Sequence, residues 1–343
     1  MSEDSIVSHA PRLVELLSRS ESTASSSDLR DRARGVLLGL AAGNLLGLEV
    51  EGRPYDQIAT RYPDGVREID PREAHRLMDD DLAQAVDLGE ALVVGGDFAA
   101  DFVERLIVWK RDNGRGIGIT TEAVIQGLRR DRQPPNAARA IYESRDGIAP
   151  NGGVMRCAPV AIARRSDSAQ LIADSAWTCA VTHYAPTCQW SCIIVNAVIA
   201  QFLNGNEPDM STLLHAAQGD GCPDPLAISH RDGIPADVLE SIATGETPPA
   251  GNEWLLRRHG LIGHTLLAMQ FGLWAAATPL NFEDALIASV NSGGDTDTNA
   301  AVAGAVLGAR YGASAIPQRW LDCVPERGRI EVLADRLVSL SAP

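Results

Sequence analysis

The sequence predicts an all-α protein. Its longest ordered-looking segments are rich in Ala and Leu and are separated by Gly, Pro or Asn, a pattern that is typical of helices bounded by helix-breaking residues. Well-spaced runs of alternating Val, Ile and Thr, which would indicate strands, are not found. No segment shows the order of strand, Gly-rich loop and helix that marks a Rossmann unit. A fold built around a large sheet is therefore disfavoured.

The predicted elements follow one another along a single domain. We expect helices over residues 29–48, 82–94, 98–110, 169–182, 186–203, 254–277 and 297–309. Residues 1–27 are expected to be a flexible N-terminal arm with one short helix over residues 7–17, because six serines between Ser18 and Ser27 leave little to bury. Residues 204–251, rich in Pro, Gly and Asp, are predicted to be an insertion or lid of a domain formed by residues 28–343.

Small residues recur every four positions in two of these helices. Gly39, Gly43 and Gly47 share one face of the first long helix, and Ala300, Gly304 and Gly308 share one face of the last. Small residues at this spacing allow two helix backbones to approach closely, so we expect these helices to cross near their N-terminal or central turns. An Ala/Gly-rich composition would produce the same pattern without any contact.

Composition limits the partners and the compartment. Of 343 residues, 45% are hydrophobic and 22% are charged, which is ordinary for a folded chain, and the net charge is -15. That charge disfavours a long nucleic acid as a partner, because a phosphate backbone requires a basic surface. Six irregularly spaced cysteines suggest neither a disulfide framework nor a zinc site. The sequence shows no signal peptide and no membrane span, so we expect a cytoplasmic protein.

The sharpest chemical signal is the string NSGGDTDTN at residues 291–299. Gly293 and Gly294 precede two carboxylates, Asp295 and Asp297, and a hydroxyl, Thr298. These are hard oxygen ligands on a backbone that can fold tightly around an ion. An Asp/Thr cap of the following helix would explain one or two of these residues, but not the whole string. We therefore favour metal or phosphate binding.

A second acidic cluster, Asp79-Asp80-Asp81, begins another apolar helix. Adjacent carboxylates repel one another, and the helix dipole offsets only ~0.3 to 1 kcal/mol per charge. Taken alone, the cluster is equally well interpreted as a solvated first turn. Together with Asp295 and Asp297, however, it brings five carboxylates, close to the charge that two divalent ions would balance. The two clusters therefore predict one two-metal site.

Five motifs follow in order between about residues 30 and 340. They are Gly39, Gly43 and Gly47 with Glu51-Gly52; Asp79-Asp80-Asp81; Asn151-Gly152-Gly153-Val154-Met155-Arg156; Thr182-His183-Tyr184-Ala185-Pro186; and Gly293-Gly294-Asp295-Thr296-Asp297-Thr298-Asn299-Ala300-Ala301. Each is weak alone. In this order they resemble the ADP-ribosylglycohydrolases, a family that includes ADP-ribosylarginine and ADP-ribosylserine hydrolases and the dinitrogenase reductase-activating glycohydrolase.

The resemblance implies an all-α domain that holds two divalent ions, Mg²⁺ or else Mn²⁺, at the bottom of a cleft and hydrolyses the bond between ADP-ribose and an acceptor. The metal ligands implied are Asp79, Asp80, Asp81, Asp295, Asp297 and Thr298. The residues implied to surround ADP-ribose are Asn151, Gly152, Gly153, Val154, Met155, Arg156, His183, Gly293 and Gly294. Glu51 is implied to lie beside the ribose, and it, Asp80 or Asp81 would assist as a base. Substrates would be ADP-ribosylated proteins or small molecules, with ADP-ribose as the product.

Three positions depart from the family pattern. Asn44 stands where the family has Asp, Leu82 where it has Thr, and Asp79 where it often has Thr. Enough acids remain for two ions, but the changes leave open a protein that binds ADP-ribose or a related nucleotide with weakened turnover. A two-metal phosphoesterase is a third interpretation, although the His-rich metal shell usual in such enzymes is missing.

Overall fold

Every regular element in the part of the chain that the structure describes is helical. The computed structural model describes residues 10–19, 22–131, 134–222 and 262–341. The α-helices are α1 Pro11–Ser18, α2 Ser26–Gly47, α3 Tyr55–Arg61, α4 Asp80–Val94, α5 Phe98–Asp112, α6 Ile119–Asp131, α7 Pro134–Ser144, α8 Ala158–Arg164, α9 Ser168–Ala180, α10 Pro186–Leu203, α11 Met210–Gly219, α12 Thr265–Ala277, α13 Phe282–Asn291, α14 Thr296–Tyr311, α15 Gln318–Leu321 and α16 Arg327–Leu340. Short 3₁₀ helices span Leu48–Val50, Pro71–His75, Asn151–Arg156 and Ala313–Ala315. The all-α prediction is confirmed.

The predicted helices agree closely with those observed. Six of the seven predicted segments lie within three residues of α2, α4, α5, α9, α10 and α14 at each end. The seventh is observed as α12, and its residues 254–261 lie outside the described ranges. Shorter helices such as α6 and α7 were not predicted. They are half-exposed, so Arg and Glu stand between their apolar residues and weaken the helical pattern.

Helices α2 and α14 form the central pair of the fold, and their small residues are in contact. A Cβ atom added at Gly39 would lie 2.2 Å from the carbonyl oxygen of Gly304, and one at Gly43 would lie 2.0 Å from that of Ala300. Gly47 in turn lies against the backbone of Asp297. The helices are therefore antiparallel and run side by side for about three turns, rather than crossing at a single point. This packing places the end of α2 beside the beginning of α14.

The remaining helices surround this pair. Helices α10 and α12 pack on α14, and α16 packs on both α2 and α4. Residues Ser26–Val50 and helix α10 are long and apolar enough, by length and composition alone, to cross a membrane. Of their apolar windows, however, 83% and 89% are buried inside the fold. Such burial is what a central helix of a large helical domain requires.

Part of the N-terminal arm is anchored to the domain. Leu13 of α1 is fully buried, and the Asp220 carboxylate, which follows α11, accepts hydrogen bonds from the backbone amides of Arg12 and Leu13. The short helix expected over residues 7–17 is thus observed as α1. The predicted insertion at residues 204–251 begins with α11, which packs on α1, and its residues 223–251 lie outside the described part of the chain.

Candidate metal centre and substrate cleft

Carboxylates from three distant segments meet in one cavity of about 480 Å³. Glu51 follows the end of α2, Asp80 and Asp81 occupy the first turn of α4, and Asp295 and Asp297 occupy the beginning of α14. The antiparallel packing of α2 on α14 explains why Glu51 reaches the second acidic cluster. The starts of α4 and α14 also direct positive helix ends toward these acids, which offsets part of their repulsion.

The acids form two groups with the spacing of metal ligands. Oxygens of Asp79, Asp80 and Asp81 lie within 4.8 Å of one another. Oxygens of Glu51, Asp295 and Asp297 form a second group within the same limit. Clustered carboxylate oxygens are the donors that Mg²⁺ and Mn²⁺ prefer.

Burial makes the ionised form of these acids unfavourable, so the groups are suited to bind cations. Burial raises the pKa of the Asp80 carboxyl to about 8, and the charges of Asp79 and Asp295 add to this effect. Burial also raises the pKa of Asp81 and of Asp297 well above the usual range. One oxygen of Asp81 and one of Asp297, both Oδ1, are buried without a hydrogen-bond partner. Buried anions of this kind require a paired charge, and divalent cations fit these oxygen donors.

Neutral donors hold the carboxylates in place. Asn44 Nδ2 lies 3.3 Å from an oxygen of Asp79 and 3.3 Å from one of Asp81, and it donates to both. Thr298 Oγ1 donates to Asp81 at 3.4 Å, which joins the start of α14 to the start of α4. At Asn44, where the family pattern has an Asp, the amide supplies donors to carboxylates that another acid would repel. Leu82 is buried in α4 and offers the site no hydroxyl.

The predicted ligand loop lies beside the acids. Asn151, Gly152 and Met155 line the cavity, and Asn151 Nδ2 donates to Asp295 Oδ2 at 2.7 Å. His183 lines the same wall, and burial followed by the charge of Arg156 lowers its pKa to about 3. His183 is therefore a neutral imidazole at neutral pH.

Five predicted substrate-binding residues do not line the cavity: Gly153, Val154, Arg156, Gly293 and Gly294. Arg156 is buried behind the wall, where its guanidinium donates to Gln84 at 2.5 Å and to Thr182 Oγ1 at 2.5 Å. Thr182 Oγ1 lies 2.8 Å from His183 Nδ1, so Arg156 supports the histidine from behind.

The two glycines before Asp295 connect the segment of Glu51 to the segment of Asp295. Gly294 N–H donates to the carbonyl of Arg53, and Gly52 N–H donates to the carbonyl of Gly294, both at 2.8 Å. Gly293 has a φ of 80°, which favours glycine. In the structure these glycines fix the loop that carries Glu51 against the loop that carries Asp295.

The rest of the cavity wall was not predicted from the sequence. It contains Gly116, Gly118, Ile119, Thr120, Thr121, Arg145, Ile148, Pro150, Ile262 and Gly263. A Cβ at Gly116, whose φ is 78°, would lie 2.5 Å from Asp80 Oδ1. Arg145 is the one cationic guanidinium among the described residues that line the cavity, and its Nη1 donates to Thr120 at 3.3 Å. The sequence feature that could have indicated this wall is the alternation of glycines in NGRGIG, residues 113–118.

Comparison with known proteins gives a consistent result. The sequence profile of the ADP-ribosylglycohydrolase family matches residues 25–343. ADP-ribosylarginine hydrolase Tri1 of Serratia proteamaculans (strain 568) is 29% identical over 321 residues, which cover 91% of this chain and 80% of that protein. The ADP-ribosyl-dinitrogen reductase glycohydrolase of Rhodospirillum rubrum is 29% identical over 302 residues, covering 85% of this chain and 90% of that protein.

A solved structure described as an ADP-ribosylglycohydrolase-related protein complex shares the fold. Its TM-score is 0.70 at 28% sequence identity, and the match covers 92% of this chain and 100% of that chain. The family profile spans most of the chain, including both acidic clusters. The chain therefore belongs to the ADP-ribosylglycohydrolase family.

Proposed function

We propose that this protein is a metal-dependent hydrolase that cleaves the glycosidic bond between ADP-ribose and an acceptor. The observation that carries the proposal is the meeting of Glu51, Asp80, Asp81, Asp295 and Asp297 in one cavity whose walls include Asn151 and Gly152. Family membership supports the same activity, and relatives with similar sequences are named as hydrolases of ADP-ribosylated substrates.

The acids divide between metal binding and proton transfer. Asp80, Asp81, Asp295 and Asp297 would hold two divalent ions, Mg²⁺ or Mn²⁺, with Thr298 beside them. When bound, the ions would supply Lewis acidity and a template for the ribose hydroxyls. Glu51 is the exposed acid of the group, and burial of part of its side chain, followed by the charge of Asp295, raises its pKa. Of the three candidate bases, we assign to Glu51 the removal of a proton from the attacking water.

The chemistry requires the sugar to be held while charge develops on it. Ribosyl bond cleavage passes through an oxocarbenium-like state, and anionic side chains near the anomeric carbon stabilise it. The amide of Asn151 holds Asp295 at 2.7 Å and thereby fixes one such anion. Arg145, which also lines the cavity, offers a charge-assisted donor suited to a diphosphate. Neutral His183 adds a polar contact without repelling a cationic acceptor.

The acceptor to test first is arginine. The relatives from Serratia proteamaculans and Pseudomonas putida are named ADP-ribosylarginine hydrolases, at 29% and 30% identity. An acidic cleft also complements a cationic guanidinium leaving group. ADP-ribosylserine and small-molecule conjugates are the comparison substrates.

The test is release of free ADP-ribose from ADP-ribosylated arginine and serine peptides, each with Mg²⁺, with Mn²⁺ and with EDTA. We expect release with a divalent ion and none in EDTA. Tight ADP-ribose binding without release from any conjugate would indicate a binding protein instead. Hydrolysis of a plain phosphodiester, with no release from the conjugates, would indicate a phosphoesterase.

A further inference from the structure

Asp79 differs from its neighbouring acids in how its oxygens are engaged. Its Oδ1 lies 3.4 Å from Arg115 Nε, and its Oδ2 accepts from Asn44 Nδ2 at 3.3 Å. By contrast, Oδ1 of Asp81 and Oδ1 of Asp297 are buried and have no hydrogen-bond partner. Both oxygens of Asp79 are thus already engaged, one by the Arg115 guanidinium and one by the Asn44 amide, whereas Asp81 and Asp297 each keep one oxygen without a hydrogen bond.

The position of Asp79 in the cleft is also different. Asp80 and Asp81, the next two residues, line the cavity, and Asp79 does not. Its side chain is 4% exposed and forms an ion pair with Arg115. An ion bound in the cavity therefore meets Asp80 and Asp81 first.

Arg115 links Asp79 to the protein surface through alternating charges. Arg115 Nη1 lies 2.9 Å from Glu73 Oε2, and Glu73 Oε1 in turn lies 2.5 Å from Arg76. The Glu73 side chain is as buried as that of Asp79, whereas Arg76 is 47% exposed. Two acids and two guanidinium groups alternate, so this string is neutral without any ion. Asp79 has its counter-charge inside the protein.

The loop that carries Arg115 is seated directly on the acids. Asn113 Nδ2 donates to the carbonyl of Met78 at 2.8 Å, and Arg115 Nη1 donates to the carbonyl of Leu77 at 2.9 Å. A Cβ at Gly116 would lie 2.7 Å from Asp79 Oδ1, so only glycine permits this approach. The backbone on both sides of Arg115 therefore fixes the guanidinium beside Asp79.

We propose that Arg115 is a positioning residue that holds Asp79 as its ion-pair partner and keeps it out of the metal ligand set. Asp80 and Asp81 are then the ligands from α4. This assignment replaces the ligand role that the sequence pattern implied for Asp79. It also brings the charge closer to balance, because five acids, Glu51 included, rather than six then face two divalent ions. The inference rests on the metal site of the proposed function.

The test is a double-variant cycle read by calorimetric titration with MnCl₂ and MgCl₂. Asp79→Asn should weaken ion binding about tenfold, because it leaves the charge of Arg115 unbalanced beside the site. Arg115→Gln should strengthen binding severalfold, because the Asp79 charge is released. The double variant Asp79→Asn with Arg115→Gln should bind ions within about threefold of the wild type. An uncharged Asn–Gln pair then replaces an ion pair of zero net charge, so the net charge beside the site is unchanged. Melting temperatures in EDTA establish that each variant is folded.

Two results would overturn the inference. A folded double variant that binds as weakly as Asp79→Asn would make Asp79 a ligand. Unchanged affinity in Arg115→Gln would show that Arg115 does not act on the site, and this single variant decides the matter should the double variant fail to fold. These failures leave wild-type ion binding and turnover intact. Absence of ion binding in the wild type would instead overturn the proposed metal site, and this inference with it.

Discussion

The floor and the walls of the cleft are built in different ways. The floor consists of acids at the ends of helices that are locked together, with Gly43 packed on Ala300 so closely that a Cβ would lie 2.0 Å from a backbone oxygen. The walls consist of loops, residues 116–118, 145–150 and 262–263, together with the first residues of α6 and of the 3₁₀ helix Asn151–Arg156. A rigid helical floor suits ions that need fixed ligands, and loops suit recognition of a substrate. Changes to the floor should therefore affect metal and turnover, and changes to the walls should affect affinity.

The largest effect is expected at the floor. Asp297→Ala should remove bound divalent metal and abolish hydrolysis, because this buried carboxylate belongs to the second ligand group. The fold should be kept, since Asp297 lies in the first turn of α14 and its charge is unfavourable without an ion. Metal content and turnover are measured together.

The matched control for Asp297→Ala is Asp322→Ala, whose side chain is 66% exposed. The control should keep full metal content and wild-type turnover. A fully metal-loaded Asp297→Ala protein would remove this residue from the ligand set.

Glu51→Gln should separate proton transfer from ion binding. We expect turnover to fall by about 10² to 10⁴, the usual contribution of a general base, with metal content and ADP-ribose affinity close to wild type. Glu49→Gln, two residues earlier and outside the cavity lining, is the control and should leave turnover unchanged. Loss of metal in Glu51→Gln would instead identify Glu51 as a ligand, and unchanged turnover would make it a surface residue.

The contrast between floor and walls also explains which parts of the site could be predicted from the sequence. The acids and the small-residue stripe carry their signal in local spacing, so both clusters and the α2–α14 contact were predicted. The antiparallel, side-by-side course of the two helices was not predicted, because spacing alone does not give the geometry of a helix pair. Arg115 and Arg145 were missed because a single arginine in a loop has no periodic pattern. Arg156 was expected to contact the ligand, but it is buried behind His183. Its burial depends on how distant segments pack, which a local motif does not reveal.

The glycine packing beneath the floor should be sensitive to one methyl group. Gly43→Ala should lower the free energy of unfolding by roughly 1 to 3 kcal/mol or more, because the added Cβ would meet backbone atoms that cannot rotate away. Thermal unfolding measures this change. Gly328→Ala, in α16 with nothing within 4 Å of the added Cβ, should leave stability equal or slightly higher. Equal melting temperatures for the two variants would contradict the close packing.

The smallest effect concerns pH. The pKa of Asp80 is raised from 3.8 to about 8, so the folded protein without ions binds this proton more tightly than the unfolded chain does. Stability in EDTA should therefore fall as pH rises from about 4 to about 8, and saturating Mg²⁺ should restore more of it at pH 8 than at pH 5. Melting curves at both pH values measure this. An Mg²⁺ shift that is equal at pH 5 and pH 8 would contradict the buried, ion-dependent floor.

We expect floor and walls to form one site, in which ions on the acids contact a ligand held by the walls. The most direct measurement is the melting shift produced by free ADP-ribose, in Mg²⁺ and in EDTA. At about 100 times Kd a ligand stabilises the folded state by roughly 2.7 kcal/mol, which corresponds to a few degrees for a chain of this size. We predict a clearly larger shift in Mg²⁺ than in EDTA. Equal shifts in the two conditions, or no shift at saturating ADP-ribose, would contradict it.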